Sequence, residues 1–266
     1  MTLTADSGST KTTWIADGQR FLTQGINPFH MSTEQMQRII HEELLTQQGV
    51  PTASLITEIH FYGAGCTKEK APILEGILRS IFPCATTTEV GSDMLGAARS
   101  LFNNKEGIAC IIGTGANSCL YDGEKIVSNV SPMGFILGDE GSGAVLGKTL
   151  LNTLYKGEHR DFIPTFEKET GMTLPEIIEN VYRKPMPNRF LASLAPFIKS
   201  HINEEWMARM VVEAFQLFFL RNVAHYNRAD LPCSFVGSIA YYFEEQLRKA
   251  AANCGFRIGT IMKEPL

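Results

Sequence analysis

A strand, a glycine turn, a second strand and an Asp-Gly turn occur twice in this chain, and that duplication limits the possible folds more than any other feature. The first copy runs through Thr2–Asp6, Ser7-Gly8-Ser9-Thr10-Lys11, Thr12–Ala16 and Asp17-Gly18. The second runs through Ile108–Ile112, Gly113-Thr114-Gly115-Ala116, Asn117–Tyr121 and Asp122-Gly123. With Gly8 set on Gly113, an offset of 105 residues, Thr12 meets Asn117, Ile15 meets Leu120 and the two Asp-Gly pairs coincide. An internal repeat of this kind predicts two related lobes, each presenting a glycine turn. The polar stretch Asn103-Asn104-Lys105-Glu106-Gly107 breaks structure and sets the expected division, with domains at 1–104 and 105–266.

Around these hairpins the patterning alternates between strand and helix. Ser32, with Gln35 three residues on, has the form of a capping box, and Met36, Ile39, Ile40 and Leu44 predict a helix over about 32–48. Leu55–Tyr62 reads as a buried strand, Lys68–Phe82 as a helix stopped by Pro83, Thr86–Val90 as a strand, and Ser92 caps a helix through Leu101. In the second half a helical insertion is expected over about 141–230, including a helix at Glu204–Tyr226 that is apolar on nearly every side and therefore expected to be deeply buried. Cys233–Val236 reads as a strand, Ile239–Ala252 as a helix and Phe256–Ile261 as the last strand. Strands alternating with helices after an antiparallel hairpin place the chain in the α/β class with mixed sheets.

Composition removes several functions. Lys and Arg number 24 against 28 Asp and Glu, a net charge of −4, and no basic run is present, which disfavours nucleic acid or an anionic membrane as partner. No apolar stretch approaches the roughly 18 residues of a membrane span. Met1–Trp14 lacks a basic start followed by an apolar core, so no signal peptide is expected. The six cysteines are scattered without a CxxC pair and read as reduced, mostly buried thiols of a cytoplasmic protein. The histidines show no metal-binding spacing.

Chemistry concentrates at the turns. Asp6-Ser7-Gly8-Ser9-Thr10-Lys11-Thr12 joins two strands, so it is neither a Walker A loop nor a Rossmann fingerprint, both of which end at a helix. A hairpin of Gly, Ser and Thr still exposes backbone N–H groups and hydroxyls that can cradle an anion, and Lys11 adds a cation suited to phosphate. Asp6 is placed to hold Mg²⁺ through water. Gly113-Thr114-Gly115 offers an equivalent cradle, and two such turns grip a polyphosphate better than one. Two roles are open to Asp93, just after a strand: a cap in the first turn of a helix, or a base that takes the proton of a hydroxyl attacking phosphorus. Gly138-Asp139-Glu140-Gly141-Ser142-Gly143 likewise either caps the helix that follows or uses Asp139 and Glu140 to bind sugar hydroxyls. Val236-Gly237-Ser238-Ile239-Ala240 is a strand–glycine–helix junction, either a plain turn or a surface on which a flat base packs.

In this order the pieces resemble the actin-like sugar kinase and Hsp70 superfamily, and more narrowly the N-acetylglucosamine kinases and the BadF/BadG/BcrA/BcrD ATPases. The resemblance covers essentially the whole chain, and the Gly138–Ser142 block is its most specific part. It implies two ribonuclease H-like (actin-like ATPase) domains with a cleft between them, ATP and Mg²⁺ as cofactors, and a sugar as the small-molecule partner, with a homodimer as an open option. It further implies that Gly8, Ser9, Thr10, Lys11, Thr12, Gly113, Thr114, Gly115, Gly237 and Ser238 serve ATP. By the same resemblance Asp93 is the catalytic base, and Asn27, Gly63, Asn117, Asp139 and Glu140 serve the substrate. The expected activity is ATP-dependent phosphorylation of N-acetylglucosamine or a related amino sugar. The alternatives are an ATPase activating a redox partner through an iron–sulfur cluster, and a non-catalytic nucleotide- or sugar-sensing module. Two departures stand out. Pro132-Met133-Gly134 replaces the Gly-Trp-Gly usual in the family, which leaves the sugar's identity open. Relatives also usually continue past the position of Leu266 into a helix that returns to the first domain, which leaves open whether the C-terminus is truncated or its tail unobserved.

Overall fold

The computed structural model describes residues 1–8 and 11–265. Ser9 and Thr10, both expected to contact phosphate, lie outside the described residues. The chain divides into two compact units, residues 1–100 with Pro265, and residues 101–264.

The first unit is built on a five-stranded mixed sheet of β1 (Thr2–Ser7), β2 (Lys11–Ala16), β3 (Gln19–Gln24), β4 (Glu58–Gly63) and β5 (Thr87–Ser92), in the order β3-β2-β1-β4-β5. β1, β2 and β3 pair antiparallel, while β1, β4 and β5 run parallel. The sequence places a tight hairpin at Asp17-Gly18, and both residues take the positive φ that such a turn requires, 50° and 73°. Period-2 alternation sends Leu3, Ala5, Ile59 and Phe61 into one core with Trp14, Ile26 and Leu74. The helices are α1 (Thr33–Arg38), α2 (Ala71–Ile81) and α3 (Asp93–Phe102). The helix expected over 32–48 begins with the capping box of Ser32 and Gln35 but continues after Arg38 as a wider π turn, Ile39–Leu44. Met36, Ile39, Ile40 and Leu44 are all buried, on the one face their spacing predicts, and nothing in that spacing marks the change to the wider turn.

The second unit repeats the sheet. Its strands β6 (Gly107–Ile112), β7 (Ala116–Tyr121), β8 (Ile126–Ser128), β9 (Pro232–Val236) and β10 (Arg257–Met262) take the order β10-β9-β6-β7-β8. Here too a three-stranded antiparallel meander is extended by two parallel strands. Register shows that the two copies are not related by one constant offset. Ser7 pairs with Thr12 across four residues, but Ile112 pairs with Ala116 across three, so the second turn is one residue shorter. The second Asp-Gly pair also sits in a longer loop, because Tyr121 pairs with Ile126.

Helices fill the rest of this unit: α4 (Gly134–Leu137), α5 (Gly143–Lys156), α6 (Ile163–Thr170), α7 (Leu174–Tyr182), α8 (Pro187–Ala192), α9 (Ala195–Ser200), α10 (Glu205–Arg221), α11 (Ser238–Tyr242) and α12 (Glu244–Asn253). α10 buries Met207, Val211, Phe215, Phe218 and Phe219 but leaves Leu217 and Leu220 exposed, so it is one-sided rather than buried all round. The helix expected over 239–252 is broken at Phe243 into α11 and α12. The longest helix has 17 residues, and no helix among the described residues is long and apolar enough to cross a membrane.

Candidate active site

In the first unit, register alone brings the predicted residues to one edge. Ser7, Gly63 and Ser92 lie side by side across the parallel strands β1, β4 and β5. The next residues, Gly8, Ala64 and Asp93, therefore leave the sheet together at its carboxyl edge, where open α/β sheets bind ligands. The turn after β1 is fixed from beneath by hydroxyls. Ser7 Oγ and Thr12 Oγ1 are 2.7 Å apart, Ser7 donates to the Ile26 carbonyl at 2.9 Å, Thr12 donates to the Gln24 carbonyl at 3.0 Å, and the Ile26 N–H reaches both oxygens at 2.8 and 3.2 Å. Thr12, expected to bind phosphate, thus spends its fully buried hydroxyl inside the protein. The Gly8 N–H closes the turn on the Lys11 carbonyl at 3.0 Å, and the Lys11 side chain stands exposed. Asp6 is half-buried and pairs in register with Tyr62 on β4.

Asp93 is the first residue of α3. Its Oδ1 accepts the Met94 N–H at 2.8 Å, while the cap itself is Ser92, whose Oγ accepts the Leu95 N–H at 3.2 Å. Burial pushes its carboxyl above the ordinary aspartate range, although the backbone N–H groups of Met94 and of Asp93 itself pull the other way. Beside it lies Cys66, a residue the sequence reading left among the scattered thiols. Burial chiefly, and the nearby Asp93 charge, hold the Cys66 thiol up at about 12. A Cβ added at Gly63 would approach Phe61, Ser7 and Cys66 at 2.7, 3.2 and 3.4 Å, so this glycine is a packing requirement. Asn27 lies over Gly65, whose φ is +77°, and its Oδ1 accepts the Phe29 N–H at 2.9 Å. The close approach of Asn27 to Gly65 sets the loops 26–29 and 63–66 side by side.

The second unit draws three glycine motifs into one cluster. The carbonyls of Gly113 and Thr114 accept the N–H groups of Gly143 and Ala144 at 2.8 and 3.1 Å, and Ser142 Oγ accepts the Val145 N–H at 3.2 Å. The first turn of α5 is thereby satisfied by protein rather than left to an anion. Asp139, at φ +52°, turns toward the same hairpin: its Oδ1 accepts the Ala116 N–H at 3.3 Å, and a Cβ at Gly115 would stand 3.1 Å from its Oδ2. Burial raises the Asp139 carboxyl, offset by the Ala116 N–H and reinforced by neighbouring Glu140. Glu140 points elsewhere, accepting from Arg221 Nη1 at 3.3 Å and Asn222 Nδ2 at 3.2 Å, which ties the loop to the end of α10. Asn117 Oδ1 accepts from the Ser118 N–H at 2.8 Å and from Asn129 Nδ2 at 2.9 Å. Gly237 has φ +128°, and a Cβ there would collide with the Ile112 carbonyl oxygen and lie 3.2 Å from Gly113 N. The strand–glycine–helix junction therefore packs directly on the β6 turn, with Ser238 exposed beside it.

Among the described residues, the nearest atom to a Cβ added at Gly8 is Lys11 O at 3.9 Å, and at Gly113 nothing lies within 4 Å. Neither glycine is required by its own packing, and the open face at each is the kind of space a ligand approaching bare backbone needs. An apolar cavity of about 610 Å³ beside α5, α7 and α8 contains none of these turns or carboxylates.

Two α/β units of the same strand order, each with a glycine turn between its first two strands, define an actin-like ATPase fold of the sugar-kinase type. No protein-family profile and no curated sequence matches the chain. Among solved structures, a provisionally assigned N-acetylglucosamine kinase from Porphyromonas gingivalis is 46% identical, with a TM-score of 0.93 over 100% of this chain and 95% of that one. The chain belongs to this N-acetylglucosamine kinase family of actin-like sugar kinases. A second such assigned kinase, from Chromobacterium violaceum, has a TM-score of 0.75 at 18% identity, covering 97% of this chain and 93% of that one. A ROK family glucokinase from Streptomyces griseus, solved with glucose and AMPPNP, has a TM-score of 0.53 at 12% identity over 99% and 93% of the two chains. The last two show likeness of fold.

Proposed function

We propose that this protein transfers the γ-phosphoryl group of ATP to a hydroxyl of N-acetylglucosamine or a related amino sugar. The observation that carries the reading is Asp93, a carboxylate at the carboxyl edge of three parallel strands whose surroundings make it a stronger proton acceptor than an ordinary aspartate. The sugar oxygen forms its bond to the γ-phosphorus as the bond to the β-phosphate oxygen breaks and ADP leaves, and Asp93 takes the hydroxyl proton. Alignment and charge stabilisation supply most of the rate in such transfers. In the first unit Gly8, Ser9, Thr10 and the Lys11 cation serve phosphate, and Thr12 supports them through its buried hydroxyl. In the second unit Gly113, Thr114, Gly115, Gly237 and Ser238 serve the nucleotide. Asn27, Gly63, Asn117 and Asp139 serve the sugar; the bonds of Glu140 to Arg221 and Asn222 suit it to holding the Asp139 loop.

Among the described residues no group of three or more His, Cys, Asp or Glu side chains is arranged to hold a metal ion by itself. That fits a Mg²⁺ that takes one carboxylate, Asp6, through water and its other ligands from phosphate. When bound, the ion neutralises charge on the transferring group. The test is ADP release measured against N-acetylglucosamine, glucose, glucosamine and N-acetylmannosamine. An N-acetylated amino sugar should give the highest kcat/KM, and Asp93→Asn should lower kcat by about 10²–10⁴-fold while ATP still binds. Turnover indifferent to every sugar, or an Asp93→Asn variant of near-normal rate, would refute the reading.

A further inference from the structure

One face of the β1-β4-β5 sheet carries polar groups that this mechanism leaves unused. Alternation places Glu58, His60 and Tyr62 of β4 on the face of Glu89 and Gly91 of β5. They form a continuous chain. Thr2 donates to Glu58 at 3.0 Å, His60 Nε2 meets Glu58 at 2.9 Å and His60 Nδ1 meets Glu89 at 3.1 Å. Tyr62 OH donates to Glu89 at 3.2 Å, and Arg99 Nη1 donates to Tyr62 OH at 2.6 Å and to both Glu89 oxygens at 2.7 Å.

The chain ends on α3, the helix that begins with Asp93. Two glycines let α3 settle on the Tyr62 ring: a Cβ at Gly96 would lie 2.6 Å from Tyr62 Cβ, and one at Gly91 would lie 3.1 Å from Tyr62 Cδ1. Arg99 crosses the same ring, its Cζ 5.7 Å from the centroid. α3 is thus seated by a ring and fastened by a charge-assisted bond to β5, the strand that leads directly into Asp93.

We infer that Tyr62, Glu89 and Arg99 are positioning residues for Asp93: they fix α3 against β4 and β5, so that its first residue stays at the carboxyl edge of the sheet. The inference rests on the catalytic role proposed above for Asp93. Interactions within the clamp agree with it. Burial opposes the charges of Glu89 and Arg99, but their mutual bonds, with Tyr62 and His60, outweigh it, leaving the Glu89 carboxyl below and the Arg99 guanidinium above its ordinary range.

The test uses the full chain carrying Arg99→Ala, Arg99→Lys or Tyr62→Phe, with two readouts. In steady-state kinetics Arg99→Ala should lower kcat about 10-fold while KM for ATP stays within about twofold, and Tyr62→Phe should lower kcat about threefold. Arg99→Lys should recover part of the loss, since it restores the charge but not the planar guanidinium lying over the Tyr62 ring. In carbon-detected NMR titration without nucleotide, the Asp93 carboxyl of Arg99→Ala should titrate closer to an ordinary aspartate. If Arg99→Ala does not fold, Tyr62→Phe carries both readouts. A folded variant whose kcat and Asp93 titration both match wild type overturns the clamp. Wild-type protein without sugar-dependent turnover overturns the kinase reading instead, and the titration still decides whether the clamp holds Asp93.

Discussion

The turn after β1 is tied down by hydroxyls, those of Ser7 and Thr12, which hold it to the strand end at Gln24 and to Ile26. The turn after β6 has Ile112 and Ala116 at those places and is held by backbone: its carbonyls accept the first N–H groups of α5, and Gly237 lies against it without a side chain. One strand–turn–strand pattern is therefore supported in two ways, one depending on buried polar side chains and the other on close backbone approach. The difference teaches that a glycine in these motifs has one of two jobs. Gly237 and Gly63 are glycine because the fold has no room for more. Among the described residues, Gly8 and Gly113 have room to spare.

Gly237→Ala should break the second unit most severely. It combines a conformation that costs about 1–3 kcal/mol in a non-glycine residue with an overlap against the backbone of Ile112, which cannot swing aside. A loss of about 3–5 kcal/mol is expected, read as a shift of the urea midpoint at unchanged slope. A variant of wild-type stability would show that the β6 turn is not held by this contact.

The counterpart in the first unit is Thr12→Val, which keeps shape and removes the hydroxyl. Ser7 Oγ and the Ile26 N–H each lose a partner in a buried place, the half-buried Gln24 carbonyl loses one too, and about 2 kcal/mol should go. Ser142→Ala, which removes only the cap on Val145, should cost nearer 1 kcal/mol. If the two variants cost the same, the first turn depends on its hydroxyls no more than the second depends on a cap.

How much of this could be read in advance follows from which bonds are local. The hairpin at Asp17-Gly18, the capping box at Ser32 and Gln35, and the glycine turns were legible because each is decided within a few residues. The placement of Asp93 depends on β1 pairing with β4 and β4 with β5, contacts between segments roughly 30 to 60 residues apart that no local pattern encodes. The same holds for Glu140, whose Arg221 and Asn222 partners lie some 80 residues on. The missing residue in the second turn escaped notice because a constant offset still matched the Asp-Gly pairs. A longer loop after β7 restores the count, and only register separates the two events. Tyr62, Glu89 and Arg99 carried no signal of their own: each is an ordinary surface-type residue until the parallel strands set them on one face.

The clamp and the base should also differ in pH response. Glu89 lies below its ordinary range when folded, so its contribution to stability is present above the ordinary glutamate pKa and is lost as pH falls through the lower folded value. Asp93 lies above its ordinary range, so its contribution is full below the ordinary aspartate pKa and declines as pH rises through the higher folded value. Thermal unfolding followed from neutral to acid pH should show Glu89→Gln with a shallower acid decline than wild type, and Asp93→Asn with no loss of Tm at neutral pH. A steep acid decline retained in Glu89→Gln would remove that carboxylate from the linkage.

The smallest effect on the fold should be the most telling for the ligand. Gly8→Ala and Gly113→Ala each add a methyl group that meets no atom of the described residues nearer than 3.9 Å, and neither residue has a positive φ, so stability should change by less than about 1 kcal/mol. A methyl group on bare backbone nevertheless occupies the space through which a phosphate would approach. Titration calorimetry should therefore find ATP binding weakened about 10-fold or more in each variant at nearly wild-type Tm. The contrast with Gly237→Ala separates two explanations of a repeated glycine pattern within a single chain: one substitution takes away the fold, the other only the nucleotide. Should both turn variants bind ATP as wild type does, the open faces at Gly8 and Gly113 are ordinary surface, and the phosphate must be sought elsewhere in the two units.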